Sequence, residues 1–231
     1  MNIEICTDSV EGAIIAQKYE AKRIELCSAL SVGGLTPSIG LIKQCVISST
    51  VEVHVLIRPR EGDFKYSMNE VEIIKSDIKM AKKAGAKGVV FGVLTEKNEV
   101  SSLNIDLVAL SKSLDLEVTF HRAFDFVNDF KIAIEKIIEF GVDRLLTSGL
   151  QQTAIEGLDV ISYLHSNYGG KIQIMAGSGI NNSNALKIAS SGIKNIHFTV
   201  RKSIKDSIEF GMGVQTEIDE KKIKAIVNLF N

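Results

Sequence analysis

The 231-residue chain has no tryptophan, two prolines and three cysteines, and no surplus of either charge, since 27 Lys and Arg stand against 28 Asp and Glu. Each scarcity excludes something. So few prolines, beside ordinary charged and hydrophobic fractions of 24% and 45%, exclude a collagen-like or disordered chain. A formal net charge of -1, with both signs interspersed, leaves no basic footprint for a phosphate backbone, so no nucleic-acid partner is expected. No run reaches the ~18 apolar residues that a membrane helix needs, and Met1-Asn2-Ile3-Glu4 lacks the basic start of a secretory signal. A cytoplasmic protein without a membrane partner is therefore expected. Cys6, Cys27 and Cys45 are too few, and odd in number, for a disulfide framework, so they read as reduced thiols.

What is present is a repeat. Short runs rich in Val, Ile and Phe recur at Asn2 to Cys6, Arg23 to Cys27, Val51 to Ile57, Gly88 to Gly92, Glu117 to His121, Arg144 to Ser148, Lys171 to Met175 and Asn195 to Thr199. Between them lie helical periods, such as Val71, Ile74, Ile78 and Ala81, or Phe130, Ala133, Ile134, Ile137 and Ile138. Gly85, Gly141 and Gly192 each end such a period, and an apolar and a charged residue then precede the next strand, as at a left-handed helix C-terminus. Thr36-Pro37 reads as an N-cap followed by the first helical position. The length alone suits one large domain or two small ones. Eight βα units without a linker point to one α/β domain over 1–231, a single TIM (β/α)8 barrel. A doubly wound open sheet is the competing architecture, and no early Gly-x-Gly-x-x-Gly fingerprint supports it.

Barrel chemistry gathers at the C-terminal strand ends. Strand alternation puts Glu4 with Cys6, and Glu25 with Cys27, on common faces. His54 and Arg58 share a phase on the third strand, His121-Arg122 ends the fifth with Asp125 beyond, and the eighth carries His197; His165 reads as a helix-surface residue. Only six of the 27 basic residues are arginine, and Arg58, Arg60, Arg122 and Arg201 fall at or just after strand ends, while Arg23 and Arg144 begin strands and should face the opposite rim. Arginine is the better bidentate partner for carboxylate or phosphate, so the cluster suggests an anion-binding mouth. Equally, Arg58, Arg60 and Arg122 could pair with Glu61, Asp63 and Asp125 to hold loops. Gly177-Ser178-Gly179, ahead of Asn181 to Asn184, resembles the phosphate loop that barrels carry after strands seven and eight. Gly-rich turns also occur merely to close a βα loop.

The segments Arg23-Ile24-Glu25-Leu26-Cys27-Ser28, Gly33-Gly34-Leu35-Thr36-Pro37-Ser38, Ile57-Arg58-Pro59-Arg60, Thr119-Phe120-His121-Arg122-Ala123-Phe124-Asp125 and Met175-Ala176-Gly177-Ser178-Gly179 together resemble the CutC family. The resemblance runs from residue 2 to about 213 and implies a TIM barrel, a cytoplasmic place and a link to copper homeostasis. For a metal it points to Cys6 and Cys27 holding Cu(I). Neighbouring strands lie about 4.8 Å apart, which independently allows two thiolates to bracket a soft ion. A buried free cysteine is otherwise a small hydrophobe, the reading given to Cys45. This chain departs from the family pattern at Tyr19-Glu20, at Ser178, at Phe198-Thr199 and over Val200 to Glu217, which ends in Met212-Gly213 and is the expected lid.

The alternative is a TIM-barrel enzyme acting on a small anionic or phosphorylated metabolite. Glu25, His121 and Arg122 would be its catalytic groups, and Arg58, Arg60, Gly177, Ser178 and Gly179 its anion-binding ones. Inward carboxylates are costly unless paired, so Glu4 and Glu25 could instead salt-bridge to Arg58, Arg122 or His121. A homodimer is one expectation for assembly.

Overall fold

The protein is described from a computed structural model covering residues 1–205 and 213–230. Eight strands, β1 (Asn2–Thr7), β2 (Arg23–Leu26), β3 (Glu52–Leu56), β4 (Gly88–Phe91), β5 (Glu117–Phe120), β6 (Arg144–Thr147), β7 (Gln173–Gly177) and β8 (Asn195–Thr199), pair parallel in chain order. β8 closes on β1, giving the TIM barrel. Seven helices fill the crossovers: α1 (Val10–Lys18), α2 (Ile39–Ser48), α3 (Met68–Lys83), α4 (Leu103–Ser113), α5 (Phe130–Glu139), α6 (Leu158–Tyr168) and α7 (Ala185–Ala189). After β8 an antiparallel pair, β9 (Arg201–Lys205) and β10 (Gln215–Ile218), precedes α8 (Glu220–Val227). The expected lid thus contains this pair, while its residues 206–212, Met212 included, lie outside the described residues. Among the described residues no helix is long and apolar enough to cross a membrane.

The main apolar core lies between barrel and helices. Ile5, Ile24, Val55, Val89, Val118 and Leu145 point outward and join Ala13, Ile74, Ile78, Leu107 and Ile137 in one fully buried cluster. On α3 the apolar period is Val71, Ile74, Ile78 and Ala81, all buried, and the helix opens on a capping box formed by Ser67 and Glu70. Gly85, Gly141 and Gly192 all adopt positive φ, as the recurrent glycine after each helical period anticipated. Two local readings shift. Ser38, not Thr36, caps α2, and the Thr36 hydroxyl instead accepts from the Arg58 N–H at 2.9 Å. The seventh strand begins and ends two residues later than expected, so Gly177 belongs to it.

The barrel interior is divided by chemistry. Its C-terminal half holds a small separate cluster of Cys6, Cys27, Leu56 and Val90. Its N-terminal half is polar. Arg23 and Arg144, expected on the rim, are instead almost completely buried inside, at 1% and 0% exposure. Arg144 donates to Thr119 Oγ1 at 2.9 Å, Glu117 Oε2 at 2.8 Å and Gln173 Oε1 at 3.1 Å, while Arg23 lies 3.7 Å from Glu4. Arg23 stands two positions before the inward Glu25, so strand alternation turns it into the lumen although it begins its strand.

Candidate functional site

The site begins with register. Cys6 on β1 sits opposite Glu25 on β2 and opposite Thr199 on β8, and Glu4 sits opposite His197. Cys6 and Cys27 are therefore not level: Cys27 lies two residues beyond Glu25 and is fastened by its N–H to Thr7 O at 3.0 Å. The offset places a carboxylate beside one thiol while the two sulfur atoms still approach to 3.9 Å. Cys6 Sγ is also 3.9 Å from Glu25 Oε1. Cys6, Glu25 and His197 form the group of potential metal ligands among the described residues, their ligand atoms all within 4.8 Å of one another. Sequence reading noted His197 but gave it no role. The signal was its place on β8 in phase with the buried Asn195, which becomes informative only once β8 is known to close on β1.

Beneath this group Glu4, fully buried, holds the His197 ring through a 2.8 Å contact to Nδ1. Burial pushes Glu4 upward, but the hydrogen bond and charge of His197, with the charges of His54 and Arg144, hold it down at about 2. For His197 the order reverses. Burial disfavours its cation, yet the charge of Glu25 and hydrogen bonds to Cys6 and Glu4 raise it well above the usual imidazole range. Burial, reinforced by the charge of Glu4, lifts Glu25 to about 7. The hydrogen bond with Cys27, and then burial, raise the Cys6 thiol well above its ordinary value. These shifts favour the carboxylate at Glu4, the imidazolium at His197 and the protonated thiol at Cys6. Glu4 and Glu25 do not pair with Arg58, Arg122 or His121; their partners are His197, Arg23 and Cys6.

Above the thiols opens a cavity of about 630 Å³ whose walls include Cys6, Glu25, His197, Leu56, Phe64, His121, Arg122, Phe126, Ser178, Gly179 and Lys222. Most of the sequence-derived candidates meet here. Arg58 is only 6% exposed, and its guanidinium donates to the carbonyls of Val32, Gly34 and Gly62 at 2.8 to 2.9 Å while stacking on Phe64. Arg60 lies outside the cavity and clamps the loop after β3 through Glu70 at 2.6 Å and Asp63 at 2.9 Å. Arg122 pairs with Asp125 at 2.8 Å and donates to Ser148 Oγ, with its guanidinium at the cavity edge. The loop-holding pairings considered from sequence are therefore present for Arg60 and Arg122, whereas Arg58 is held by carbonyls instead of Glu61.

The glycines after β7 have packing reasons of their own. A Cβ on Gly177 would lie 2.5 Å from Leu146 Cδ1, and one on Gly179, at φ 69°, 2.9 Å from Thr153. Asn181 and Asn184 close the loop by donating to Gly179 O. Cys27 is fully buried beside Cys6, and Cys45 packs on α2, where burial raises its thiol to about 11. His54, expected near the mouth, is fully buried lower in the barrel, its Nε2 3.7 Å from Glu117.

Fold and site together define a TIM barrel with a thiol, carboxylate and imidazole cluster at the C-terminal mouth. The sequence profile of the CutC family matches residues 1–202, and the chain belongs to that family. A family protein CutC of Glaesserella parasuis is 42% identical over 238 residues, covering 98% of both chains. A mouse protein named copper homeostasis protein cutC homolog is 45% identical over 210 residues, covering 90% of this chain and 76% of that one. The crystal structure of CutC from Streptococcus agalactiae superposes with a TM-score of 0.79 at 32% identity, covering 85% of this chain and 97% of that one.

Proposed function

We propose that this protein is a cytoplasmic copper-homeostasis protein that binds Cu(I) through Cys6 and Cys27, with His197 and Glu25 completing the set. The observation that carries the reading is the place of Cys6, whose sulfur lies 3.9 Å from Cys27 Sγ and belongs with Glu25 and His197 to a buried group of ligand atoms within 4.8 Å of one another. Soft thiolate ligands select Cu(I) among biological cations. Two metal–sulfur bonds of about 2.3 Å each, the length known for zinc thiolates, can bridge that gap without moving the backbone. A reducing compartment keeps both thiols available. Glu4 supports the site from below by fixing the His197 ring, the office that carboxylates perform for metal-bound imidazoles in general. Binding requires the Cys6 thiol and His197 to give up protons, so the ion enters in exchange for them.

Titration of reduced protein with Cu(I) against a competing chelator tests this. Tight one-to-one binding is expected, weakened by about a hundredfold or more in Cys6→Ser and in Cys27→Ser, the scale of losing one ligand or its direct support. Affinity unchanged in both variants would remove the proposal.

A further inference from the structure

The cavity is far larger than one ion needs, and three deeply buried side chains on its wall, Glu25, His121 and Arg58, each carry a polar atom without a partner, Arg58 at Nε. Glu25 Oε2 and His121 Nε2 belong to residues 6% and 5% exposed, both on the cavity wall, and neither atom has a hydrogen-bond partner. The chemistry of His121 is fixed by its other nitrogen. Nδ1 accepts from the Ala123 N–H at 3.2 Å, so the neutral ring carries its proton on Nε2, which is therefore a donor without an acceptor. Burial and the charge of Arg58 hold His121 neutral. A buried donor left unpaired forfeits its hydration without return, a loss that a ligand acceptor would recover.

The walls describe that acceptor further. Phe64 lies between His121, 4.8 Å away centroid to centroid, and Phe126 at 5.4 Å, and its ring also carries the Arg58 guanidinium at 5.2 Å. Phe126 is exposed, although it lines the cavity beside Leu30 and Val32. The charge balance is positive. Arg58, Arg122 and Lys222 line the cavity against a single carboxylate, Glu25. Among the described residues Arg58 has no carboxylate partner, and Lys222 Nζ donates to the Thr199 carbonyl at 2.7 Å. At about 630 Å³ the cavity falls within the roughly 300 to 1,000 Å³ typical of small-molecule sites.

We propose that the mouth of this barrel is a binding site for a small organic anion, a carboxylate or phosphate ester. An oxygen of that anion accepts from His121 Nε2, and its apolar body rests on Phe64 and Phe126. The proposal does not rest on the copper reading, although Cys6, Glu25 and His197 line the same cavity. Nothing in the thiol pair calls for the Phe64, His121 and Phe126 wall.

Benzoate and phenyl phosphate are suitable probes, with benzyl alcohol as the uncharged control. They are titrated into the full-length, reduced protein, kept metal-free by a chelator, and followed by ligand-observed NMR and by the rise in melting temperature. At least one of the two anions should bind, benzyl alcohol should bind about tenfold more weakly or not at all, and the better anion tells carboxylate from phosphate. His121→Phe, which keeps the ring volume but removes the donor, should weaken the anion about tenfold or more. Lys222→Gln, at the mouth and away from the core, should weaken it severalfold and guards against a folding defect in the first variant. Absence of binding by both anions overturns the proposal, as does binding that neither substitution changes. Because copper is excluded throughout, these results are independent of the Cu(I) titration.

Discussion

At the scale of single residues the decisive group is Glu4. It is a fully buried carboxylate whose neighbours are the His197 ring at 2.8 Å and Arg23 at 3.7 Å. Removing one partner of a buried charge pair strands the other, so Glu4→Gln should lower stability by about 3 kcal/mol in chemical denaturation. The same substitution should pull the His197 pKa down, since a hydrogen bond and a charge that favour the imidazolium disappear. An NMR titration reads this directly, and an unmoved His197 would show that Glu25 and Cys6 alone govern it. Copper affinity should fall as pH falls, because Cys6 and His197 must both release protons to the solvent before they can ligate. Chelator competition at several pH values measures that slope.

At the scale of elements the loop after β3 owes its shape to α3. Glu70 accepts the Ser67 N–H at 2.7 Å as half of a capping box and also takes the Arg60 Nε at 2.6 Å. Ser67→Ala removes the cap alone and should cost about 1 kcal/mol. Glu70→Ala frees Arg60 as well, so it should cost more and raise proteolytic nicking between Arg60 and Ser67; equal effects from the two variants would mean that Arg60 contributes nothing to the loop. The α3 helix was legible from the spacing of Val71, Ile74, Ile78 and Ala81, because burial of one face is a local property of the sequence. The cap of α2 was misplaced by two residues because Thr36 is engaged by Arg58, a residue from another unit, and Ser38 takes its place. The β9–β10 pair, one strand of which begins two residues after β8, carried no periodic signal strong enough to separate it from a loop.

At the scale of the whole molecule the polar interior sets the response to acid. In the fold, burial keeps His54 neutral down to about 4 and His121 down to about 3, while in the unfolded chain both titrate near 6.5. Below pH 6.5 the unfolded chain therefore binds more protons and stability falls. Glu25 works the other way between about 7 and 4.5, since it holds its proton more tightly in the fold than the unfolded chain does. Two imidazoles against one carboxylate leave a net loss on acidification, and below 4.5 the low-lying Glu4 adds to it. The share of His54, displaced from 6.5 to about 4, is on the order of 3 kcal/mol by pH 4. His54→Gln should flatten the dependence of unfolding free energy on pH between 7 and 4 by roughly that amount. Parallel curves for the two proteins would show that His54 is not kept neutral.

By itself the sequence determined the alternation of eight strands with helices, the outward apolar faces, and the inward phase that holds Glu4, Cys6, Glu25 and His197. These follow from periods of two and about 3.6 residues, which are written along the chain. Only the tertiary structure decided which inward residues meet. Closure of β8 onto β1 brings His197 to Glu4 and Cys6 across nearly the whole length of the chain, and the stagger of β1 against β2 sets Glu25, not Cys27, level with Cys6. Register between distant strands depends on how the barrel closes, a property of all eight strands at once, so no local pattern could record it. Contacts between loops are equally absent from any local pattern: the carbonyls of Val32, Gly34 and Gly62 fix Arg58 at the cavity wall, and Glu70 and Asp63 fix Arg60 outside it.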